Sequence, residues 1–510
     1  MYIFDCLYGK IEFNKKITRC ILTPEMQRLR EVRLGNINSL FLTGSSNNNR
    51  FEHCIGTAYL AKVNIENNKR NFKADERNAF IFAALFHDLA NGPFGHSYEY
   101  LVEKQGFIPE ESVSDVIFGK MEGAHKKSVT LEPFYMGEPN GIKGQLTSNE
   151  IEAIDCIIKG NNDHCSKILS DVIDIDNIDN VYRMAYHMGI SIDRKIPVEL
   201  SKGIICKDNR LLFKDSVVPY LYDWYEIRSQ VYNMLLYNPE DFSAKCMLAE
   251  VMESVLRNKY TKIRWQSTDA ELIDTLLNVG EQWDHIDVPM RKIEENCYED
   301  ICDRLLNGTK VNETLKELGV TVPNIANISV VKEGDILIIN FYNTTYRIYN
   351  NYLYKEKKIS INYKRIIKRL MLGDLYKCVG IFVSSQTERT NLFSDNNVRN
   401  RLEVECMQYI KKKLDNDKEL SIAFHVILDK HKTNRQLNVT LETGENFSIG
   451  KNSNDLLIGA FIRNIGNGLA RNNLNEEKRK ILSSIINDFF ALNGIKCVEH
   501  KLYSEVECIE

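Results

Sequence analysis

From residue 1 to about 325, apolar side chains recur at intervals of three and four, the spacing that gathers them on one face of a helix. RNAFIFAALFHDL, SNEIEAIDCIIKG, VPYLYDWYEIRSQVYNMLLY and DFSAKCMLAEVMESVLRNKY are the clearest such segments, and each predicts a helix. Polar stretches rich in Asn, Gly and Asp separate them, for example 44–49 and 160–163. Beyond about 325 the pattern changes. ISVV, DILIINFY, TYRIYNNYLY, VGIFVSS, IAFHVILD and QLNVTLET are short β-branched and aromatic runs that predict strands. Two helices are expected among them, RNRLEVECMQYIKKKL and EEKRKILSSIINDFFAL. The expectation is a mainly α chain, with an all-helical domain over 1–325 and a smaller α+β domain over 326–510. The boundary is placed near 323–333.

Length agrees with two domains, because 510 residues exceed what one hydrophobic core commonly serves. Lys and Arg total 66 against 70 Asp and Glu, a net charge of −4, so no overall positive field draws the chain to nucleic acid or to an anionic membrane. No apolar run reaches the roughly 18 residues of a membrane helix. The start, MYIFDCLYGK, has an early Asp and lacks both the basic start and the apolar core of a signal peptide. Thirteen cysteines without a CxxC pair read as reduced thiols. Together these features predict a soluble cytoplasmic protein.

Candidate chemistry gathers around LFHDLANGPFGHSYEY. The FIFAALF run predicts a buried helix ended by Gly92-Pro93, which places the His87-Asp88 doublet in its last turn, opening toward a cavity. Adjacent helical residues point about 100° apart, so they bracket one ion only if it lies beyond the helix. A divalent cation there needs further ligands. His53, in RFEHCIG, and Asp176, in IDIDNIDN, are the candidates. Two imidazoles and two carboxylates form a mixed, fairly hard set that suits Mn, Fe, Mg or Zn with positions left for water. Such an ion lowers the pKa of a bound water and polarises a phosphoryl oxygen. Singly these residues say little: a lone His beside an apolar helix is commonly a satisfied core residue, and an Asp in a DxD run is commonly a cap. The second carboxylate of that run, Asp174, reads as a capping or supporting group. The ordered set, H…HD…D with Gly-Pro after the doublet, carries the reading.

RFEH, FHDLANGPFGH and IDIDNIDNVYR, in this order and spacing, resemble the HD-domain phosphohydrolases. Within them the chain is most similar to the deoxynucleoside triphosphate triphosphohydrolases, the bacterial dGTPases and their animal SAM-and-HD-domain relatives. The resemblance begins at FDCLYGKIEFNKKITRCILTPEMQRLREVRLG and runs through YLYDWYEIRSQVYNML to about residue 280; the C-terminal 180 residues share none of it beyond an α+β region lying where relatives also carry one. By position it implies metal ligands at His53, His87, Asp88 and Asp176, and phosphate-contacting arginines at Arg50 and Arg228. That agrees with the chemistry, since a triphosphate needs several cations and guanidinium binds it in a bidentate way. It also implies His96 and His125 beside the reacting centre, either of which would protonate the departing 5′-oxygen. A homo-oligomer follows from the same resemblance, as does an activating nucleotide at TPEMQRLR, where Gln27 and Arg30 match.

The chain departs from that family at several pocket positions. The family's His three residues after the HD aspartate is Asn91, whose amide orients a phosphate or a water but shuttles no proton at neutral pH. The Lys and Tyr that grip phosphate and sugar are Asn177 and Asn180, and an Asp four residues further on is Met184. The Gln that inspects the sugar is Arg33, just before Leu34, and the acidic residue that reads guanine in the activating site is Leu22. The metal set is intact while the walls are altered. The resulting expectation is a divalent-metal-dependent phosphohydrolase that splits dNTPs into deoxynucleoside and inorganic triphosphate. The alternatives are a nucleotidase or phosphodiesterase on other nucleotides, and a catalytically silent nucleotide sensor. The resemblance further implies a setting in antiviral defence, which no residue of this chain demonstrates. Taken locally, TPEMQRLR predicts a helix start with Thr23 as cap, Pro24 in the first turn and Arg28 and Arg30 solvated. The basic run 355–369, with Tyr354 and Tyr363 interleaved, reads as a solvated face, with a nucleotide or single-stranded nucleic acid as the second reading.

Overall fold

The structure, a computed structural model, describes residues 2–35, 48–95, 113–117, 141–162, 164–257, 267–278, 281–308, 310–322, 328–334, 336–341, 344–349, 351–414, 421–430, 432–433, 435–463 and 474–500. A hairpin, Tyr2–Asp5 with Gly9–Glu12, leads into the short helices α1 (Lys15–Ile21) and α2 (Pro24–Arg28). The longer helices follow as α3 (Arg50–Asn67), α4 (Ala74–Phe86), α5 (Ser148–Ile158), α6 (Ile175–His187), α7 (Val218–Leu236) and α8 (Pro239–Arg257). Polar caps set the starts of α3, α5 and α6, whereas α7 starts after Val217 with Pro219 in its first turn. Asn49 accepts from the Glu52 N–H at 2.9 Å, Thr147 and Glu150 form a capping box, and Asp174 accepts from the Asn177 N–H at 2.6 Å. The unbroken run Phe80–Phe86 is buried throughout because α4 is packed between α3 and α5.

The change from helix to sheet comes earlier than the hydropathy pattern suggests. Glu281–Lys292 is a strand at the edge of a five-stranded antiparallel meander, followed in space by Tyr352–Asn362, Thr344–Tyr349, Ile336–Phe341 and Ile328–Glu333. Its sequence, EQWDHIDVPMRK, hides it: charges interrupt the apolar positions, and the register slips between Pro289 and Arg291, where a bulge tolerates the proline. Helices Glu295–Leu306 and Val311–Glu317 cover this sheet, packing Ile301, Leu305 and Leu315 on Leu337, Ile339 and Ile348.

A second antiparallel sheet orders Ile422–Leu428, Leu456–Ile462, Lys377–Ser384 and Val498–His500. Its strand LLIGAFI is buried at every residue. One face meets α8 and the helix Tyr363–Met371, and the other meets Asn396–Leu414 and Glu476–Leu492. Between its strands the chain leaves the sheet. The hairpin Leu437–Thr440 with Asn446–Ile449 packs Leu437, Val439, Leu441 and Ile449 into the N-terminal helical core, and the Glu442 N–H donates to the Phe213 carbonyl at 2.8 Å. This excursion brings Lys432 and Thr433 alongside α7, where their carbonyls accept from Arg228 and Ser229.

The basic run 355–369 is split between a strand and the helix Tyr363–Met371. Its aromatics are not available for stacking on bases. Tyr354 and Tyr363 are both buried, with Tyr354 stacked on Tyr349 at 4.2 Å between ring centres, so the nucleic-acid reading loses its physical basis. Among the described residues every cysteine is a free thiol, and no helix is long and apolar enough to cross a membrane.

Candidate metal centre

Three helices assemble the site. α3 presents Arg50, His53 and Gly56 at three-residue spacing, on one face. α6 presents Asp176, Asp179, Asn180, Arg183 and Met184 along one stripe. α4 delivers the doublet, but from just beyond its end rather than from its last turn. The helix stops at Phe86, and His87 is its C-cap. The chain turns at once, with the Leu89 N–H on the Phe86 carbonyl and the Asn91 N–H on the Asp88 carbonyl, ahead of Gly92-Pro93.

His53 Nε2 lies 3.1 Å from His87 Nε2 and 2.9 Å from Asp176 Oδ1, and the latter is 3.5 Å from His87 Nε2. Asp88 Oδ2 stands 3.7 Å from His87 Nε2 and 3.9 Å from His53 Nε2. The outer nitrogens determine what these atoms are. His53 Nδ1 is 2.7 Å from Asp179 Oδ2, and His87 Nδ1 is 2.8 Å from the Ala84 carbonyl oxygen. Each faces an oxygen acceptor, so each ring places its N–H at Nδ1 and turns the bare Nε2 inward. Two nitrogen lone pairs and a carboxylate oxygen then converge on one point, which calls for a cation between them. The donor set of two imidazoles and two carboxylates fits a divalent metal.

Electrostatics agree. Burial works to raise the Asp88 carboxyl, but Arg50, His87 and His53 outweigh it and hold it down at about 2. Asp176 is likewise held well below the carboxylate range against its burial, chiefly by His87 and His53. Burial pulls the His53 imidazole down, yet the hydrogen bonds to Asp176 and Asp179 override it and push it up to about 10. The same carboxylates that favour a metal cation therefore also favour a proton on His53, and the two compete.

Asp179 was not singled out from the sequence. It is fully buried and accepts from both Arg183 Nε and Nη2 at 2.9 Å and from the Tyr8 hydroxyl at 2.8 Å, besides holding His53. Arg183 in turn reaches Asp5 at 2.9 Å. Its signal was the position three residues after Asp176, on the same stripe. Gly56 makes room for this pair: a Cβ there would stand 2.0 Å from Asp179 Oδ1 and 2.2 Å from Arg183 Nη2. Arg28 was expected in solvent and is instead buried, donating to the Leu89 and Asn91 carbonyls at 3.1 and 2.7 Å and so pinning the turn after the doublet. Thr23 occupies the cap position of α2, but its hydroxyl donates to the Cys20 carbonyl at 2.6 Å rather than capping the helix.

The metal-site residues open onto a cavity that Arg50, Leu34, Asn180 and Met184 also line, together with Tyr232, Lys245 and Lys432. Arg50 Nη1 donates to Asp88 Oδ2 at 2.5 Å, and Asn91 Nδ2 holds the other oxygen, Oδ1, at 2.7 Å. Other expected pocket residues turn elsewhere. Asn177 donates its amide back to Asp174 at 2.8 Å, closing the α6 cap. Arg33 turns to Asp269, 3.6 Å away, while its neighbour Leu34 reaches the cavity. Arg228 is buried beside the cavity, donating to the Lys432 carbonyl at 2.6 Å over the ring of Tyr232. Gln27 is buried between the Ile21 carbonyl and Arg30, and Arg30 covers the ring of Phe51 at 3.8 Å. His96 and His125 lie outside the described residues.

Residues 50–184, which carry His53, His87, Asp88 and Asp176, match the family profile of the HD domain. More particularly, the chain is 22% identical over 470 residues to the deoxynucleoside triphosphate triphosphohydrolase SAMHD1 homolog of Dictyostelium discoideum, covering 87% of this chain and 84% of that one. It is 27% identical over 279 residues to human deoxynucleoside triphosphate triphosphohydrolase SAMHD1 (45% of this chain, 40% of that one). With the uncharacterized protein YwfO of Bacillus subtilis it shares 25% over 243 residues (47% and 52%), so it spans about half or less of the length of these last two. Among solved structures, a hypothetical protein from Aquifex aeolicus has the same fold, with a TM-score of 0.55 at 16% identity over 94% of this chain and 99% of that one.

Proposed function

We propose that the chain is a metal-dependent phosphohydrolase that converts dNTPs to deoxynucleoside and inorganic triphosphate. The observation that carries this reading is the convergence of His53 Nε2, His87 Nε2 and Asp176 Oδ1 within 3.5 Å, with Asp88 Oδ2 beside them. A divalent ion held there would supply Lewis acidity toward a phosphoryl oxygen and an acidified water. The chain's own groups do the rest. Asp179 and the Ala84 carbonyl fix the two imidazoles, and Asn91 fixes Asp88. Arg50, at the cavity wall, offers its guanidinium to an equatorial oxygen as charge develops at the α-phosphorus. A water oxygen would bond to that phosphorus, losing its proton, as the bond to the 5′-oxygen breaks, and His96 or His125 would give a proton to the leaving oxygen. Assembly as a homo-oligomer in the cytoplasm, with a second nucleotide as activator near Gln27 and Arg30, belongs to the same proposal.

The altered walls favour one further reading, turnover of other nucleotides, since Asn180 and Met184 line the cavity where relatives carry sugar-reading residues. A panel of dNTPs, NTPs, monophosphates and cyclic nucleotides, with product analysis on metal-loaded protein, separates the two. Inorganic triphosphate released from dNTPs supports the proposal. Turnover confined to monophosphates or cyclic nucleotides replaces it with the second reading.

A further inference from the structure

The cavity holds two lysines that the metal centre does not use. Lys245, on α8, is 7% exposed, and its Nζ donates to the Leu235 carbonyl at 3.0 Å, in the last turn of α7. Lys432 follows the strand Ile422–Leu428 and extends over the Tyr232 ring, 6.0 Å from its centre. Both line the same cavity as Arg50, Asp88, Asp176 and Asn180. Among the described residues no carboxylate oxygen lies within 4.0 Å of either ammonium. Asp241 and Asp429 act on them only from further away, and the Asp429 carboxylate is taken by the Thr433 N–H and hydroxyl, both at 2.9 Å. Burial, then the like charges of Lys245, Lys430 and Arg228, pull Lys432 below its ordinary range. Withdrawing ammonium groups from water beside other cations is costly unless an anion joins them.

The rest of the same cavity says which anion. An orthophosphate or a cyclic phosphate that reached the metal ligands would spend its charge there. An anion that meets both the metal centre and the lysines must carry several charges along its length, as a polyphosphate chain does. The two positions where relatives place a phosphate-gripping Lys and a Tyr are Asn177 and Asn180 here, and Asn177 faces its own helix cap. We propose that Lys245 and Lys432 bind the polyphosphate end of the substrate, replacing cations lost from α6 with cations from α8 and from the C-terminal half of the chain. This rests on the dNTP reading for the nature of the substrate, but not for the binding of the anion itself. The C-terminal half would then read polyphosphate length directly, through the loop that carries Lys432.

The test uses the full-length metal-loaded protein and inorganic tripolyphosphate as the probe, with orthophosphate in parallel, followed by calorimetry. Lys432→Met and Lys245→Met are each expected to weaken tripolyphosphate binding by about tenfold or more, as loss of a charge-assisted contact implies. Lys432→Arg, which keeps the charge, is expected to stay closer to the wild type than Lys432→Met. Metal content of every variant is measured alongside, so that a collapsed site is not mistaken for a lost phosphate contact. If Lys245→Met does not fold, the Lys432 pair decides alone. Tripolyphosphate affinity unchanged in folded, metal-loaded Lys432→Met overturns the assignment. If the wild type turns over no dNTP yet the lysine variants still lose tripolyphosphate, the proposed function falls while the anion site stands. If dNTPs are turned over and the variants bind tripolyphosphate like the wild type, only the lysine assignment falls.

Discussion

Replacing Gly56 by alanine is expected to reverse the sign that helix propensity gives. In the interior of an ordinary helix this change stabilises by about 0.5–1 kcal/mol. On α3 the new methyl would sit 2.0 Å from Asp179 Oδ1 and 2.2 Å from Arg183 Nη2, two atoms bonded to each other at 2.9 Å in a fully buried pair. Neither is the free end of a flexible chain: Asp179 also holds His53 and Tyr8, and Arg183 also holds Asp5. Overpacking alone costs about 1–3 kcal/mol, and parting a buried ion pair about 3–5 kcal/mol. A net destabilisation of about 2 kcal/mol or more is expected. A displaced Asp179 also releases His53 Nδ1, and loss of such an outer partner commonly costs about 10–100-fold in metal affinity. Urea unfolding of the metal-free protein reads the first effect, and metal titration of the folded protein reads the second. A Gly56→Ala protein as stable as the wild type, binding metal equally well, would refute the packing argument and the orienting role given to Asp179.

Asp179→Asn should leave the cavity in place and lower metal affinity by about 10–100-fold; unchanged affinity by titration would count against the imidazole tautomers assigned to the centre. Arg28→Met is expected to cost about 2 kcal/mol or more in chemical denaturation, since the Leu89 and Asn91 carbonyls lose a charged donor, and a cost near zero would contradict it. For Asn91→His, unchanged or increased turnover is expected; a drop beyond about tenfold, about 1.4 kcal/mol of barrier, would give the amide its own role. Metal affinity should rise with pH, because metal must displace the proton that Asp176 and Asp179 hold on His53 up to about 10, and each uptake should release protons in a weakly buffered titration. Affinity independent of pH between about 6 and 8 would contradict that competition.

The helical half was legible because its apolar positions follow the helix period and its starts carry real caps, as at Thr147 with Glu150 and at Asp174. The strand Glu281–Lys292 was not, since charges and Pro289 break its alternation. Leu456–Ile462 was missed for the opposite reason: buried on both faces, it shows no alternation. The inner atoms of the candidate centre could be named from H…HD…D, because those residue types at those positions have few other uses together. Its supports could not. Arg28 looks like any exposed cation in a polar helix, and only the fold places it under the turn after Asp88. Asp179 needed the stripe of α6 to be traced from Asp176. Lys245 and Lys432 are 187 residues apart in the chain, and no local pattern joins them.

The most direct test of the central claim is anomalous diffraction from crystals grown with Mn²⁺, combined with metal analysis of the same protein. One ion per chain is predicted, bonded to His53 Nε2, His87 Nε2, Asp88 and Asp176, and lost in Asp88→Ala protein that remains folded. An anomalous map with no peak among those four side chains, or full metal content in Asp88→Ala, would contradict the account.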